Sequence, residues 1–167
     1  IETYENILSL RNVNPISPID SSIKCLTIHN NILYSGSEDN FIYLWNIDTE
    51  ESISILVGHL DEVNCLTIYE NKLYSGGNDY SICVWDINTY KLLTIIKGHI
   101  CYVNCLIIYE NKLYSGSSDH TICVWNTKNY KNIATLKGHK TGVHHLTIRD
   151  KKLCSVDQDY AINIWKI

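Results

Sequence analysis

Short apolar runs separated by polar turns follow one another along the chain, and their order returns every forty residues. In one complete unit the apolar runs are residues 63–68, 73–76, 81–85 and 92–97, with polar turns at 70–72, 78–79 and 86–89. Runs of this length between turn residues predict β-strands. No segment has helical periodicity of useful length. The sequence therefore predicts an all-β chain built from units of four antiparallel strands.

Four sets of identical residues fix the period at forty. They are Trp45, Trp85, Trp125 and Trp165; Asp39, Asp79, Asp119 and Asp159; Ser35, Ser75, Ser115 and Ser155; and His59, His99 and His139, each after a glycine. Because independent positions keep one spacing, each unit is one copy of a repeated structural element. The repeats span about 23–57, 58–97, 98–137 and 138–167.

The order of these motifs resembles the WD-repeat family. A unit reads Gly-His, a strand, Leu-Tyr-Ser-Gly-Ser/Gly-x-Asp, and then Ile-x-x-Trp-Asp/Asn, from about residue 23 onward. Trp85-Asp86 is the literal dipeptide, whereas Trp165-Lys166 departs from it. The resemblance implies that each unit is one blade of a WD-type β-propeller, with four blades of four antiparallel strands. Residues 1–167 then form a single propeller segment.

The same resemblance implies a buried hydrogen-bonded tetrad of His, Ser, Asp and Trp in each blade. The implied tetrads are His59, Ser75, Asp79 and Trp85; His99, Ser115, Asp119 and Trp125; and His139, Ser155, Asp159 and Trp165. A buried imidazole needs both nitrogens paired, which Asp, Ser and an indole N–H can provide. The first unit has Ser35, Asp39 and Trp45 but no Gly-His, so its network is expected to be incomplete.

The two ends of the sequence look complementary. Residues 4–11 match residues 90–97, so 1–22 reads as an outer strand plus a long loop, while the last repeat stops on its third strand. Three arrangements follow: a four-bladed ring closed by its own first strand, two chains exchanging outer strands, or part of a larger ring with further blades. We favour the third, because propellers of this type usually have more blades.

Composition excludes several function classes. Net charge is −4 and only Arg11 and Arg149 are arginines, so a nucleic-acid-binding basic face is not expected. No apolar stretch is long enough to span a membrane. Seven cysteines without a C-x-x-C pair predict reduced thiols and an intracellular protein, cytoplasmic or nuclear. Charge is nevertheless uneven, with a net −8 over residues 1–62 and +4 over 63–167.

Catalysis, cofactors and metals are not expected. The Ser, His and Asp sets repeat once per blade with Trp as fourth member, which indicates a scaffold rather than an exposed nucleophile with an oxyanion hole. His144 and His145 are neighbours on a predicted strand, so they point to opposite faces and cannot share one metal.

Positions that vary between blades are the candidates for recognition, because a rigid scaffold with variable loops is a common binding design. By resemblance they lie on the narrow face and rim: Lys24, Glu38, Glu62, Asn64, Asn78, Tyr102, Asn104, Ser118, His144 and Gln158. The predicted function is a protein–protein interaction scaffold within a multiprotein complex, binding proteins or peptides. The alternatives are substrate recognition for a ubiquitin ligase, from a weaker resemblance to F-box and TRAF-type propellers with short inner hairpins, and the non-catalytic propeller domain of an enzyme.

Overall fold

The structure, a computed structural model, describes residues 21–167, which form fifteen β-strands. In chain order these are β1 (Ile23–His29), β2 (Ile32–Ser37), β3 (Phe41–Asn46), β4 (Ser52–Val57), β5 (Val63–Tyr69), β6 (Lys72–Gly77), β7 (Ser81–Asp86), β8 (Leu92–Lys97), β9 (Val103–Tyr109), β10 (Lys112–Ser117), β11 (Thr121–Asn126), β12 (Asn132–Lys137), β13 (Val143–Arg149), β14 (Lys152–Asp157) and β15 (Ile162–Lys166). Consecutive strands pair antiparallel in four separate sheets, here called blades 1 to 4.

Blades 1 to 3 each have four strands, and the described part of blade 4 has three. This confirms the predicted all-β fold and its four-stranded units. The predicted outer strand at residues 4–11 falls outside the described residues.

Tight turns with left-handed backbone produce the short connections. The inner hairpins of blades 1, 3 and 4 turn through two residues with positive φ, such as Glu110 and Asn111 at 46° and 59°, whereas in blade 2 only Glu70 has positive φ. Two-residue hairpins of this kind need positive φ at both central positions because that twist matches the twist of the strands. The second turn of a blade likewise holds one such residue, Tyr80 at 64° in blade 2.

Neighbouring blades pack face to face through apolar side chains. Between blades 1 and 2, Tyr34, Ile42 and Leu44 lie in one buried cluster with Leu73 and Trp85. The next two junctions repeat this cluster with the residues forty and eighty positions later. Each junction therefore buries several large side chains, and each side chain contributes about 1.5–3 kcal/mol relative to exposure.

A glycine in β2, β6 and β10 permits this close approach. A Cβ added at Gly76 would lie 2.5 Å from Val103 Cγ1 and 2.8 Å from Cys65 Sγ, closer than real contacts allow. Gly36 and Gly116 are equally crowded by the next blade. In blade 4 the same position is Val156.

Candidate functional site

A chain of buried hydrogen bonds crosses blade 2 at the Gly-His motif. His59 Nδ1 lies 2.8 Å from Asp79 Oδ2, and His59 Nε2 lies 2.7 Å from Ser75 Oγ. The indole N–H of Trp85 donates to Ser75 Oγ over 2.9 Å. Both imidazole nitrogens are therefore paired, which a buried histidine requires.

Blade 3 repeats this chain with nearly identical geometry. His99 lies 2.7 Å from Asp119 Oδ2 and 2.7 Å from Ser115 Oγ, and Trp125 donates to Ser115 Oγ over 2.8 Å. Ser75 and Ser115 are completely buried, so a substrate cannot reach either hydroxyl. These two sets are structural contacts.

The carboxylate and the imidazole shift each other's protonation. Burial opposes the charged form of His59, but the hydrogen bonds with Asp79 and Cys83 and the charge of Asp79 outweigh it and raise the pKa of His59 to about 9. Burial likewise opposes ionisation of Asp79, yet the hydrogen bond and charge of His59 hold its pKa well below the ordinary value. The pair is thus favoured as an ion pair inside the blade.

The implied tetrad of blade 4 was wrong in one member. His139 Nδ1 lies 2.9 Å from Asp157 Oδ2, so Asp157 rather than Asp159 completes the chain with Ser155 and Trp165. Asp157 occupies the position held by Ser37, Gly77 and Ser117 in the other blades. Its carboxylate also accepts from the backbone N–H groups of Asp159 and Ala161, which fixes the turn that follows.

In blade 1 a tyrosine contributes the contact that histidine makes elsewhere. Tyr43 Oη donates to Asp39 Oδ2 over 2.6 Å, and Trp45 Nε1 donates to Ser35 Oγ over 3.4 Å. Tyr43 stands where Cys83 and Cys123 stand in blades 2 and 3. Blade 1 therefore holds its aspartate by a different donor.

The positions proposed for recognition form one row across the blades, here called the candidate row. It comprises Lys24, Glu38, Glu62, Asn64, Asn78, Tyr102, Asn104, Ser118, His144 and Gln158. In blade 1 Lys24 Nζ lies 2.6 Å from Glu38 Oε1 and 3.6 Å from Glu62 Oε2 of blade 2. The Glu38 hydrogen bond is the main reason that the pKa of Lys24 is raised.

Two asparagines continue the candidate row from blade to blade. Asn64 Nδ2 donates to Asn78 Oδ1 within blade 2 and to the carbonyl of Val103 in blade 3. Asn104 does the same, donating to Ser118 Oγ and to the carbonyl of Val143. In blade 4, His144 and Gln158 line a surface cavity of about 310 Å³ with Val156, Asp157 and Tyr160.

Three exposed apolar side chains beside the candidate row were not predicted from the sequence, namely Leu60, Ile100 and Tyr80. Leu60 and Ile100, which follow the Gly-His motifs, are 86% and 83% exposed, and the rings of Tyr80 and Tyr102 lie 5.7 Å apart. The backbone N–H groups of Leu60 and Ile100 donate to the tetrad carboxylates. The signal in the sequence was a large apolar residue directly after the Gly-His pairs of blades 2 and 3, where blade 4 has Lys140.

Within residues 21–167, the chain brings together no group of three or more His, Cys, Asp or Glu side chains suited to a metal ion. This part of the chain also contains no helix long and apolar enough to cross a membrane. All seven cysteines are free thiols.

Solved structures share this arrangement of blades. The computationally designed Ika4 protein is 29% identical, with a TM-score of 0.85 and 99% of each chain covered. The designed Ika8 protein is 31% identical with a TM-score of 0.82, and the match covers 89% of this chain and 47% of Ika8. The RRP9 WD40 repeats and U3-55K are each 25% identical, with TM-scores of 0.84 and 0.83.

The chain spans about half the length of the Ika8, U3-55K and RRP9 chains. No curated protein matches it. The family described as WD domain, G-beta repeat matches residues 15–46, 50–86 and 90–126, which is more than half of the chain. With the blades and buried polar chains described above, this match shows that the chain belongs to the WD domain, G-beta repeat family of β-propeller repeats.

Proposed function

We propose that this chain is a non-catalytic interaction scaffold that holds other proteins against the candidate row and the apolar side chains beside it. The observation that carries the proposal is the position of Leu60, Ile100, Tyr80 and Tyr102. Leu60 and Ile100 are more than four-fifths exposed, and Tyr80 and Tyr102 are nearly half exposed. The tetrad carboxylates accept hydrogen bonds from the backbone N–H groups of Leu60 and Ile100 and so hold these loops in place. Exposed apolar groups on a rigid support favour a docking surface, because little conformational entropy is lost on binding.

The polar groups of the candidate row suit a binding rim. The Lys24–Glu38 ion pair is about one-third exposed on both sides, and exposed pairs of this kind contribute little to stability. A partner can therefore re-pair these charges at little cost. Asp61 and Glu62 lie in the loop that carries Leu60, so we expect the partner segment to combine an apolar anchor with a basic side chain.

An affinity comparison tests this proposal. The variant Glu62→Lys with Tyr102→Ala should lose partners that the unaltered chain captures from its own cells, with no fall in melting temperature. Lys128→Glu with Asn129→Ala, on an exposed loop of blade 3, is the matched control and should keep them. If the docking variant retains every partner, the docking face lies elsewhere.

Nothing in the described residues further favours the ubiquitin-ligase alternative. Recognition of phosphorylated segments typically uses clustered arginines. Arg149 is the one arginine in residues 21–167, and its side chain is 91% exposed beside Asp150. The alternative stays a prediction, as does the reduced intracellular environment that seven thiols favour.

A further inference from the structure

The two outermost blade faces expose apolar side chains that every internal junction buries. In blade 4, Ile162 and Ile164 are 70% and 67% exposed, whereas Ile42, Ile82 and Ile122 at the position of Ile162 are at most 1% exposed. At the other end of the arc, Leu26 and Ile28 of β1 are 61% and 63% exposed. Both faces have the chemistry of half a blade junction.

The three built junctions define which positions would meet at a further one. Between blades 2 and 3, Tyr69 Oη donates to Asn111 Oδ1 over 2.8 Å, and Lys72 Nζ lies 5.4 Å above the ring of Tyr130. In blade 4, two repeats later, Arg149 holds the position of Tyr69 and Lys152 holds the position of Lys72. The positions they would meet on a following blade 1 are those of Asn31 and Glu50.

The charges at these positions are complementary. Lys152 lines a surface cavity of about 390 Å³ with Lys151, Lys166, Asp150 and Ile164. Lys151 and Lys166 are departures from the repeat, since earlier blades have Asn or Asp at both positions. On blade 1, Glu50 is a departure too, replacing the tyrosine of blades 2 and 3, and it lies beside Glu51 and Asp48.

Blades 1 and 4 also have opposite net charges. Residues 21–57 carry five acidic side chains and one basic side chain, whereas residues 138–167 carry five basic and three acidic side chains. On blade 1, Asn31 holds the position of Asn111, and its side chain donates to Asp48. An acidic side chain therefore lies beside this contact position as well. Opposite charges at the rim of an apolar contact fix its register and speed association.

A side-chain donor, His144, lies on blade 4 where asparagines link the internal junctions. Asn64 and Asn104 each donate to a backbone carbonyl of the next blade. His144 holds this position in blade 4, and the corresponding acceptor on blade 1 is the carbonyl of Ile23. Val156 replaces the crowded glycine, so the first strand of an incoming blade must sit further out there than at the other junctions.

We propose that the exposed face of blade 4 binds blade 1 of a second copy of this chain, so that two copies of residues 21–167 pair through two such junctions. A second copy is favoured over closure of the described blades on each other, because within residues 21–167 the outer faces of blades 1 and 4 both stay largely exposed. This proposal does not depend on the docking surface.

Charge reversal followed by mixing tests the junction. We expect the purified 167-residue chain to have twice its 19.2 kDa mass in light scattering. The blade 4 variant, Lys152→Glu with Lys166→Glu, makes the junction face of blade 4 negative, so that it meets the negative blade 1 at both junctions. The blade 1 variant, Glu50→Lys with Glu51→Lys, makes blade 1 positive, so that it meets the positive blade 4 at both junctions. Each variant alone should raise the dissociation constant at least about tenfold, a loss of about 1.4 kcal/mol.

Mixing the two variants should restore a one-to-one dimer, because each junction then joins opposite charges again. Lys128→Glu with Lys131→Glu makes the same change in charge on internal blade 3 and should leave the dimer unchanged. A monomer of the unaltered chain, assemblies larger than two chains, or a mixture that associates no better than the separate variants would overturn the proposal. Circular dichroism of each variant checks that its blades remain folded.

Discussion

Single side chains in the buried polar chains have defined donors and acceptors. Each imidazole of blades 2 to 4 lies between a carboxylate and a serine hydroxyl, and the indole N–H completes the chain. An unpaired buried polar atom costs more than a hydrogen bond contributes. Removing one member of a chain therefore costs stability mainly through the partners it leaves behind.

The substitution His99→Ala should lower the free energy of unfolding by about 1–3 kcal/mol, because Ser115 and Asp119 lose their buried partner. Urea denaturation measures the change. His120→Asn, which replaces an exposed imidazole by a residue that tolerates the positive φ of this turn, should alter the midpoint much less. Equal midpoints for His99→Ala and the unaltered protein would contradict a stabilising role for this chain.

The His59–Asp79 pair should make stability depend on pH. The pKa of His59 is raised to about 9 in the folded protein, above its ordinary value of 6.5. Its contribution is therefore fully present below pH 6.5 and is lost as pH rises towards 9, by about 1–3 kcal/mol. Urea midpoints at pH 6 and pH 9 measure this loss, and the double variant His59→Gln with Asp79→Asn should show less of it.

The buried polar chains could be predicted from the sequence in part. The family resemblance assigned histidine, serine and tryptophan correctly in blades 2 to 4. It assigned Asp159 where Asp157 acts, because both carboxylates lie in one turn and only geometry decides which reaches His139. The Tyr43 contact was missed because it replaces a histidine that lies elsewhere in the repeat.

At the scale of strands and blades, the strand limits could be predicted from the sequence, because turn residues separate consecutive strands. Within the described residues, predicted and observed strand limits in the second repeat differ by about one residue. The apolar loop side chains Leu60 and Ile100 were not predicted, because apolarity alone does not distinguish a buried residue from an exposed one. Their exposure depends on how the tetrad carboxylates fix the loop backbone.

The close approach of the next blade requires a glycine in the second strand of blades 1 to 3, and a pair of variants tests this requirement. Gly116→Val should destabilise the protein by at least about 1–3 kcal/mol, because its side chain would enter the space of Val143 and Cys105. The reverse change at the equivalent position, Val156→Gly, faces no following blade within residues 21–167 and should have a much smaller effect. Thermal unfolding of both variants measures the difference. Similar losses in the two variants would show that the close approach of blades is not what requires glycine.

At the scale of the whole molecule, stability should be lowest at the two ends of the arc. Repeat proteins derive their stability from each unit and its contacts with neighbouring units. Blades 2 and 3 pack against a neighbour on both faces, whereas one face of blade 1 and one face of blade 4 remain largely exposed. The sequence alone could not predict this gradient, because the exposure of Leu26 and Ile162 depends on which blades pack against them.

Amide hydrogen exchange followed by mass spectrometry resolves this gradient. In the variant with Lys152→Glu and Lys166→Glu, strands β6 and β10 should exchange slowest, and β1 and β14 faster, because local opening is easiest where fewest apolar contacts hold a strand. In the unaltered chain, a second copy would cover both end faces, so β1 and β14 should become more protected while β6 and β10 change little. Uniform protection across all four blades in the variant would show that unfolding is cooperative over the whole arc and that the end faces are not its weak points.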